Sequence, residues 1–125
     1  MILDTNALSA VADDVPEAVE IYKRADTIAL AVIVLGEFRF GLAQSRRRTE
    51  YENWLKQLIA VARVLEIDER TTHYYAGIRL ELKKVGRPIP SNDISIAALC
   101  RQHSLPLLSR DRHFDAVPAI TRIGW

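Results

Sequence analysis

At 125 residues, with 49% hydrophobic and 26% charged side chains, the chain has the size and composition of one compact folded domain, which excludes disorder as its default state. Its net charge of +1 supplies no overall field of the kind that holds a protein to a nucleic acid or an anionic membrane by charge alone. The longest apolar run, "IALAVIVLG" at 28–36, is far shorter than the roughly 20 residues of a membrane-spanning helix, no basic leader opens the sequence, and the single Cys100 has no partner for an internal disulfide, so a cytoplasmic protein is expected.

Ile2 and Leu3 run directly into Asp4, Thr5 and Asn6, which predicts a short strand over 1–4 ending at turn-forming and helix-capping residues. Asp14 and Pro16 predict a helix over about 16–25, and "TIALA" at 27–31 a buried strand. Apolar residues at helical spacing predict a helix over 32–45 and a more amphipathic one over 48–64, with Tyr51, Trp54, Leu55, Leu58 and Ile59 on one face. The two form a helical hairpin. "VLEID" at 64–68 reads as a strand and 69–86 as a helix stopped by Gly86; "RPIP" then breaks the chain before another helix opens at Ser91. "LPLLS" at 105–109 is an apolar strand, followed by a polar loop and a last strand in "AITRIGW". Strands alternating with helices predict an α/β fold with a mainly parallel sheet.

Ligands of such sheets collect outside the carboxyl ends of the strands, and this places the acids. Asp4 ends the first strand, Glu37 lies on the helix after the second, Asp93 sits in the first turn of the helix from Ser91, and Asp111 lies just beyond "LPLLS". Carboxylates converging from separate segments repel one another, and their natural complement is a hard divalent cation. Oxygen-only ligands point to Mg²⁺ or Mn²⁺. His73, His103 and His113 show no zinc-ligand spacing such as HExxH, and there is no second cysteine. A cation held this way stabilises charge on a phosphodiester under attack, as in metal-dependent nucleases. Thr5 and Asn6 would then orient carboxylates or water. Two basic clusters, "SRRR" at 45–48 and the set Arg79, Lys83, Lys84 and Arg87, suit a polyanionic substrate.

The ordered set "ILDTN" at 2–6, "GEFRFGLAQS" at 36–45, "PSNDISIAAL" at 90–99 and "SRDRHF" at 109–114 resembles the PIN-domain ribonucleases, specifically the toxin half of VapBC toxin–antitoxin pairs. The likeness runs over nearly the whole chain, so a single PIN domain over 1–125 is expected. It implies a three-layer α/β sandwich, a mainly parallel central sheet flanked by helices. It also implies a homodimeric, Mg²⁺-dependent endoribonuclease inhibited by a VapB-like antitoxin, with DNA contacted only through that antitoxin and no membrane partner. Position by position, it assigns the catalytic acids to Asp4, Glu37, Asp93 and Asp111, with Asn6 beside them. Asp4 and Asp93 are the expected metal ligands, with Glu37 and Asp111 as further or water-mediated ones. A substrate rim is expected at Arg46, Arg47, Arg48 and Arg110. Two departures stand out: only three residues precede Asp4, and Arg110 stands where many relatives carry a small polar residue.

Two other readings stay open at this level. A nuclease-like domain that binds RNA without cutting it would share the same acids, and cleavage assays separate the two. A receiver-like phosphoacceptor domain also places acids at strand ends, but needs adjacent acids after its first strand and a lysine after a late one, where this chain has Asp4 alone and Arg110 with Asp111. His113 and Phe114 read as anchors of their loop.

Overall fold

A computed structural model describes residues 1–125. Its elements run β1 (Ile2–Leu3), α1 (Thr5–Ala12), α2 (Pro16–Arg24), β2 (Ala29–Ala31), α3 (Val32–Ala43), α4 (Arg48–Val61), β3 (Arg63–Leu65), α5 (Glu69–Lys84), α6 (Ser91–His103), β4 (Leu107–Leu108), a 3₁₀ turn (Arg112–Ala116) and β5 (Arg122–Ile123). The five strands form one sheet in the order β3-β2-β1-β4-β5, and every pairing is parallel. The expected parallel α/β architecture is therefore present, with shorter strands than the apolar runs suggest.

Successive residues of a strand face opposite sides of the sheet. Both residues of β1, all three of β2 and both of β4 are fully buried, so helices cover the sheet on both faces. These strands, with Leu8, Val34, Leu55, Ile78, Ile96, Leu99 and Phe114, belong to one continuous apolar core. The expected face of α4 divides accordingly: Leu55 and Leu58 are buried, while Tyr51, Trp54 and Ile59 are partly buried against the core. Cys100 is a buried free thiol, its pKa pushed up to about 12 chiefly by burial. No helix is long and apolar enough to cross a membrane.

One helix escapes the sequence pattern. Residues 5–12 form α1 immediately after β1, capped by the Asp4 side chain, where the residues alone suggest only a turn. The entry to α2 also differs: Val15 is the capping position and Asp14 sits in a left-handed conformation at φ 56°, in the bend between α1 and α2. At the other boundary, Pro90 flanks α6 and Ser91 is its first helical residue. Gly86 adopts φ 68° just beyond α5, as a helix-terminating glycine does. Asp68 caps the start of α5 in a reciprocal arrangement with Thr71.

The strand order reverses at β1, which lies between β2 on one side and β4 on the other. A crevice at the carboxyl ends of the strands opens at such a switch point. It is where β1 delivers Asp4, β4 delivers Ser109 and Asp111, and the first turn of α6 delivers Asp93.

Candidate active site

Register places the first acid. Leu3 pairs with Leu108, and one residue beyond, the Asp4 N–H donates to the Leu108 carbonyl at 3.2 Å. Asp4 is thereby set beside Ser109, and both are buried, Asp4 at 4% exposure. The Asp4 side chain also caps α1, its Oδ1 accepting the Ala7 N–H at 2.8 Å. Capping and membership of the acidic edge thus fall to the same residue.

Burial raises the Asp4 pKa above its ordinary range. Hydrogen bonds from the Ser109 hydroxyl and the Ala7 amide oppose that rise, and the charges of Asp111 and Asp93 add to it. Asp93 shifts in the same direction, again mainly through burial; His113 pulls it back, while Asp111 and Glu37 push it further up. Asp4, Asp93 and Asp111 therefore repel one another, and Glu37 joins the group through Asp93. Glu37 is held at both oxygens: Thr5 Oγ1 donates to Oε2 at 2.9 Å and Asn92 Nδ2 to Oε1 at 3.0 Å. Thr5 orients a carboxylate as the sequence suggests. Asn6 is exposed and makes no side-chain hydrogen bond, and Asn92, which no motif singles out, takes the orienting position.

His113 lies within the cluster. Its Nε2 is 3.0 Å from Asp93 Oδ2 and its Nδ1 is 3.9 Å from Asp111 Oδ1. The buried Nε2 has no aligned hydrogen-bond partner, and the ring packs at 4.7 Å on Phe114, which is wholly buried. His113 thus touches the acids as well as anchoring its loop. The only signal for this in the sequence is its place two residues after Asp111.

The loop carrying Asp111 and His113 is clamped from β5. Arg122 donates from Nε and Nη2 to the two carboxylate oxygens of Asp115, at 2.7 and 2.9 Å, and from Nη1 to the Ser109 carbonyl at 3.0 Å. The Asp111 N–H donates to Ser109 Oγ at 3.0 Å. A Cβ at Gly124 would stand 2.8 Å from Arg122 Nη1, so glycine leaves room for the clamp. The hydrogen bond from Arg122 holds the Asp115 carboxyl below the usual carboxylate range.

On one flank, α1, α3 and α4 border a groove of about 210 Å³ lined by Thr5, Asp13, Glu37, Phe38 and Tyr51 among others. The Tyr51 hydroxyl donates to Asp13 across it, and the Arg47 guanidinium lies 4.9 Å from the Tyr51 ring centre. Within the expected rim, Arg47 forms a bidentate pair with Glu50 at 2.8 and 2.9 Å, and Arg48 pairs with Glu52 at 2.9 Å. Arg46 makes no ion pair. Arg110 lies 5.9 Å over the ring of Trp125.

No three acidic, histidine or cysteine side chains converge tightly enough in this arrangement to cage a cation. The chemistry of the donor set nonetheless fits one: a buried Asp4 and the part-exposed Asp93 and Asp111 repel one another, and the donors are all oxygens apart from His113.

The PIN domain profile matches residues 1–120. The VapC ribonuclease Y4jK of Sinorhizobium fredii is 31% identical, covering 89% of this chain and 86% of its own length. Toxin FitB of Neisseria gonorrhoeae is likewise 31% identical, covering 89% and 87%. Among solved structures, VapBC2 from Rickettsia felis bound to a DNA fragment from its promoter shares the fold, with a TM-score of 0.85 at 24% identity over 99% of this chain and 97% of the matched one.

Two outcomes follow from these contacts. Because the Asp4 pKa is raised in the folded state, its charge lowers stability above that raised value, and the penalty is relieved as pH falls towards the ordinary 3.8. Asp4→Asn keeps an acceptor for the Ala7 amide and removes the charge, so it should melt at or above the wild-type temperature at pH 7, the difference vanishing near pH 3 to 4. Thermal melts across pH check this; a variant less stable at every pH contradicts it. For the clamp, Arg122→Ala should accelerate amide exchange over residues 110–116 by at least about tenfold while β1 and β2 keep their protection. Unchanged exchange in that segment would show that the clamp does not hold the loop.

Proposed function

The chain belongs to the PIN-domain family, and from that premise we propose that it is a divalent-metal-dependent endoribonuclease acting as the toxin of a type II toxin–antitoxin pair. The observation that supports the chemistry is the meeting, at the switch point of the sheet, of three mutually repelling carboxylates, Asp4, Asp93 and Asp111, with Glu37 coupled to them through Asp93. Asp4 and Asp93 would hold the cation, Mg²⁺ or Mn²⁺, with Glu37 and Asp111 as direct or water-mediated ligands. When bound, the ion stabilises charge developing on the phosphodiester and lowers the pKa of water at the site.

The protein's own part is positioning. Asp4 is fixed by the β1–β4 register and by its cap on α1. Thr5 and Asn92 leave Glu37 little rotational freedom. Ser109 links Asp4 to the backbone of Asp111, and Arg122 steadies the segment from Ser109 to Asp115. His113 lies against Asp93 and partly offsets its charge. Removing one ligand should cost several kcal/mol of transition-state stabilisation.

The repelling acids are also a ready acceptor for a guanidinium, which pairs bidentately with carboxylates. A VapB-like antitoxin would inhibit by placing arginine there, in place of the metal. Any operator DNA would be bound through that partner, in the cytoplasm. A homodimer is part of the same proposal: the α3–α4 hairpin buries Phe38, Leu42 and Leu58 in its own core but leaves Phe40 74% exposed, an apolar ring suited to a two-fold interface.

Asp93→Asn should cut RNA at least about a hundredfold more slowly while remaining folded by circular dichroism, and excess EDTA should abolish wild-type cleavage until Mg²⁺ or Mn²⁺ is restored. Near-normal cleavage by the variant, or cleavage undiminished in chelator, contradicts the assignment; wild-type binding of RNA without cleavage would favour the non-cutting alternative. Co-purified with the product of a neighbouring small reading frame, the toxin should lose that partner when the partner's C-terminal arginines are changed to alanine. Unaltered binding and inhibition would instead mean that the partner acts by covering the RNA path.

A further inference from the structure

The two flanks of the acidic crevice differ in charge. The groove between α1, α3 and α4 carries the carboxylates Asp13 and Glu37 and no cation among its lining residues. A second groove, of about 490 Å³, lies on the opposite flank between the C-terminal half of α5 and the start of α6. Arg79, Lys83, Pro88, Ile89 and Ser91 are among its lining residues, and no carboxylate is. Arg87 is exposed on the loop that leads into it. Ser91 belongs to the same first turn of α6 as Asn92, which holds Glu37, and Asp93. The groove therefore opens within two residues of the acidic cluster.

The cations that line it share the groove with no carboxylate. Arg79, Lys83 and Arg87 take part in none of the ion pairs of the molecule. The one side-chain bond among them runs from Arg79 Nη1 to the Tyr75 hydroxyl at 3.3 Å. Arg79 and Lys83 stand at i,i+4 on α5, a like-charge pair that disfavours the helix, and neither has an acid three or four residues away. Complementing the helix dipole would account for Lys83 and its neighbour Lys84 in the last turn, but not for Arg79 one turn earlier or for Arg87 beyond the helix end. By contrast, Arg47 and Arg48 of the other basic cluster are already neutralised by Glu50 and Glu52.

We propose that the groove between α5 and α6, with Arg79, Lys83 and Arg87, is a phosphate-binding subsite for the single-stranded RNA backbone on one side of the scissile bond. This rests on the ribonuclease reading of the acidic crevice. A strand crossing that crevice meets the carboxylates Asp13 and Glu37 in one groove and, in the other, Arg79 and Lys83 with no carboxylate beside them, so its phosphates run to the α5–α6 side. Contacts of this kind set register and direction without reading sequence. Polarity across the site would in this way fix which way the substrate lies.

The test separates binding from cleavage. With EDTA present, binding of a labelled single-stranded oligoribonucleotide of about twelve nucleotides is followed against salt concentration by fluorescence anisotropy. Each phosphate of a single strand that is deprived of its cationic partner lowers the salt slope by about 0.7, so Arg79→Ala with Lys83→Ala should lower it by about 1.4 and weaken binding about 10- to 30-fold near 0.1 M salt. With metal present, the same variant should raise KM similarly and leave kcat within about twofold. The charge-preserving pair Arg79→Lys with Lys83→Arg should keep the wild-type slope, as should Lys23→Ala with Lys56→Ala, which removes exposed cations elsewhere. An unchanged slope in the Arg79 and Lys83 alanine variant, with wild-type cleavage intact, overturns the subsite alone. A lowered slope in a protein that never cleaves RNA leaves the subsite standing and removes the ribonuclease reading. Loss of antitoxin binding with the RNA slope unchanged would assign the groove to the partner protein and overturn the proposal.

Discussion

The pairing of β1 with β4 is the constraint on which the site depends. Leu3 beside Leu108 carries Asp4 to a place beside Ser109, where a carboxylate is buried, caps a helix and feels two other acids. The same strand is the one at which the sheet order reverses, so the crevice and its first acid have a common origin. A slip of one residue between β1 and β4 would turn Asp4 to the opposite side of the ladder. In the observed register Ile2, Leu3, Leu107 and Leu108 are wholly buried.

Around that point the fold works against itself electrostatically. Burial and mutual repulsion both oppose ionisation of Asp4 and Asp93, and the hydrogen bonds from Ser109 and Ala7 and the nearby His113 offset this only in part. A stability-driven sequence would not gather these acids; a cation or a guanidinium makes them complementary to something. Local strain of this kind is held by stronger packing elsewhere, here the continuous core beneath the sheet and the Arg122 clamp behind the loop.

Much of this is legible from residue types and order. Apolar runs alternating with helical periodicity locate the five strands and five of the six helices, and the three central strands β1, β2 and β4 are the runs buried on both faces of the parallel sheet. Thr5–Ala12 escapes: eight residues, opened by an aspartate that also ends a strand, give too little periodicity to separate from a turn. The four acids can be placed because strand ends predict where the crevice lies. Asn92 and Ser109 cannot, since their roles arise from contacts across 55 residues and across a strand pair respectively. The triple arginine at 46–48 reads as free charge in sequence, yet Arg47 and Arg48 lie three and four residues before acids on a helix, and helical spacing brings each pair together. His113 carries no ligand spacing, and only the folded loop brings it to Asp93.

The central claim is that the acids at the β1–β4 edge, with Glu37, form one cation site. The most direct measurement is a crystal structure of the wild-type chain grown with Mn²⁺, with anomalous scattering used to locate the ion. An anomalous peak enclosed by Asp4, Asp93 and Asp111, with His113 displaced from its position against Asp93, is the predicted result. Full diffraction quality with no peak there, or Mn²⁺ bound only at exposed carboxylates away from the crevice, would contradict it.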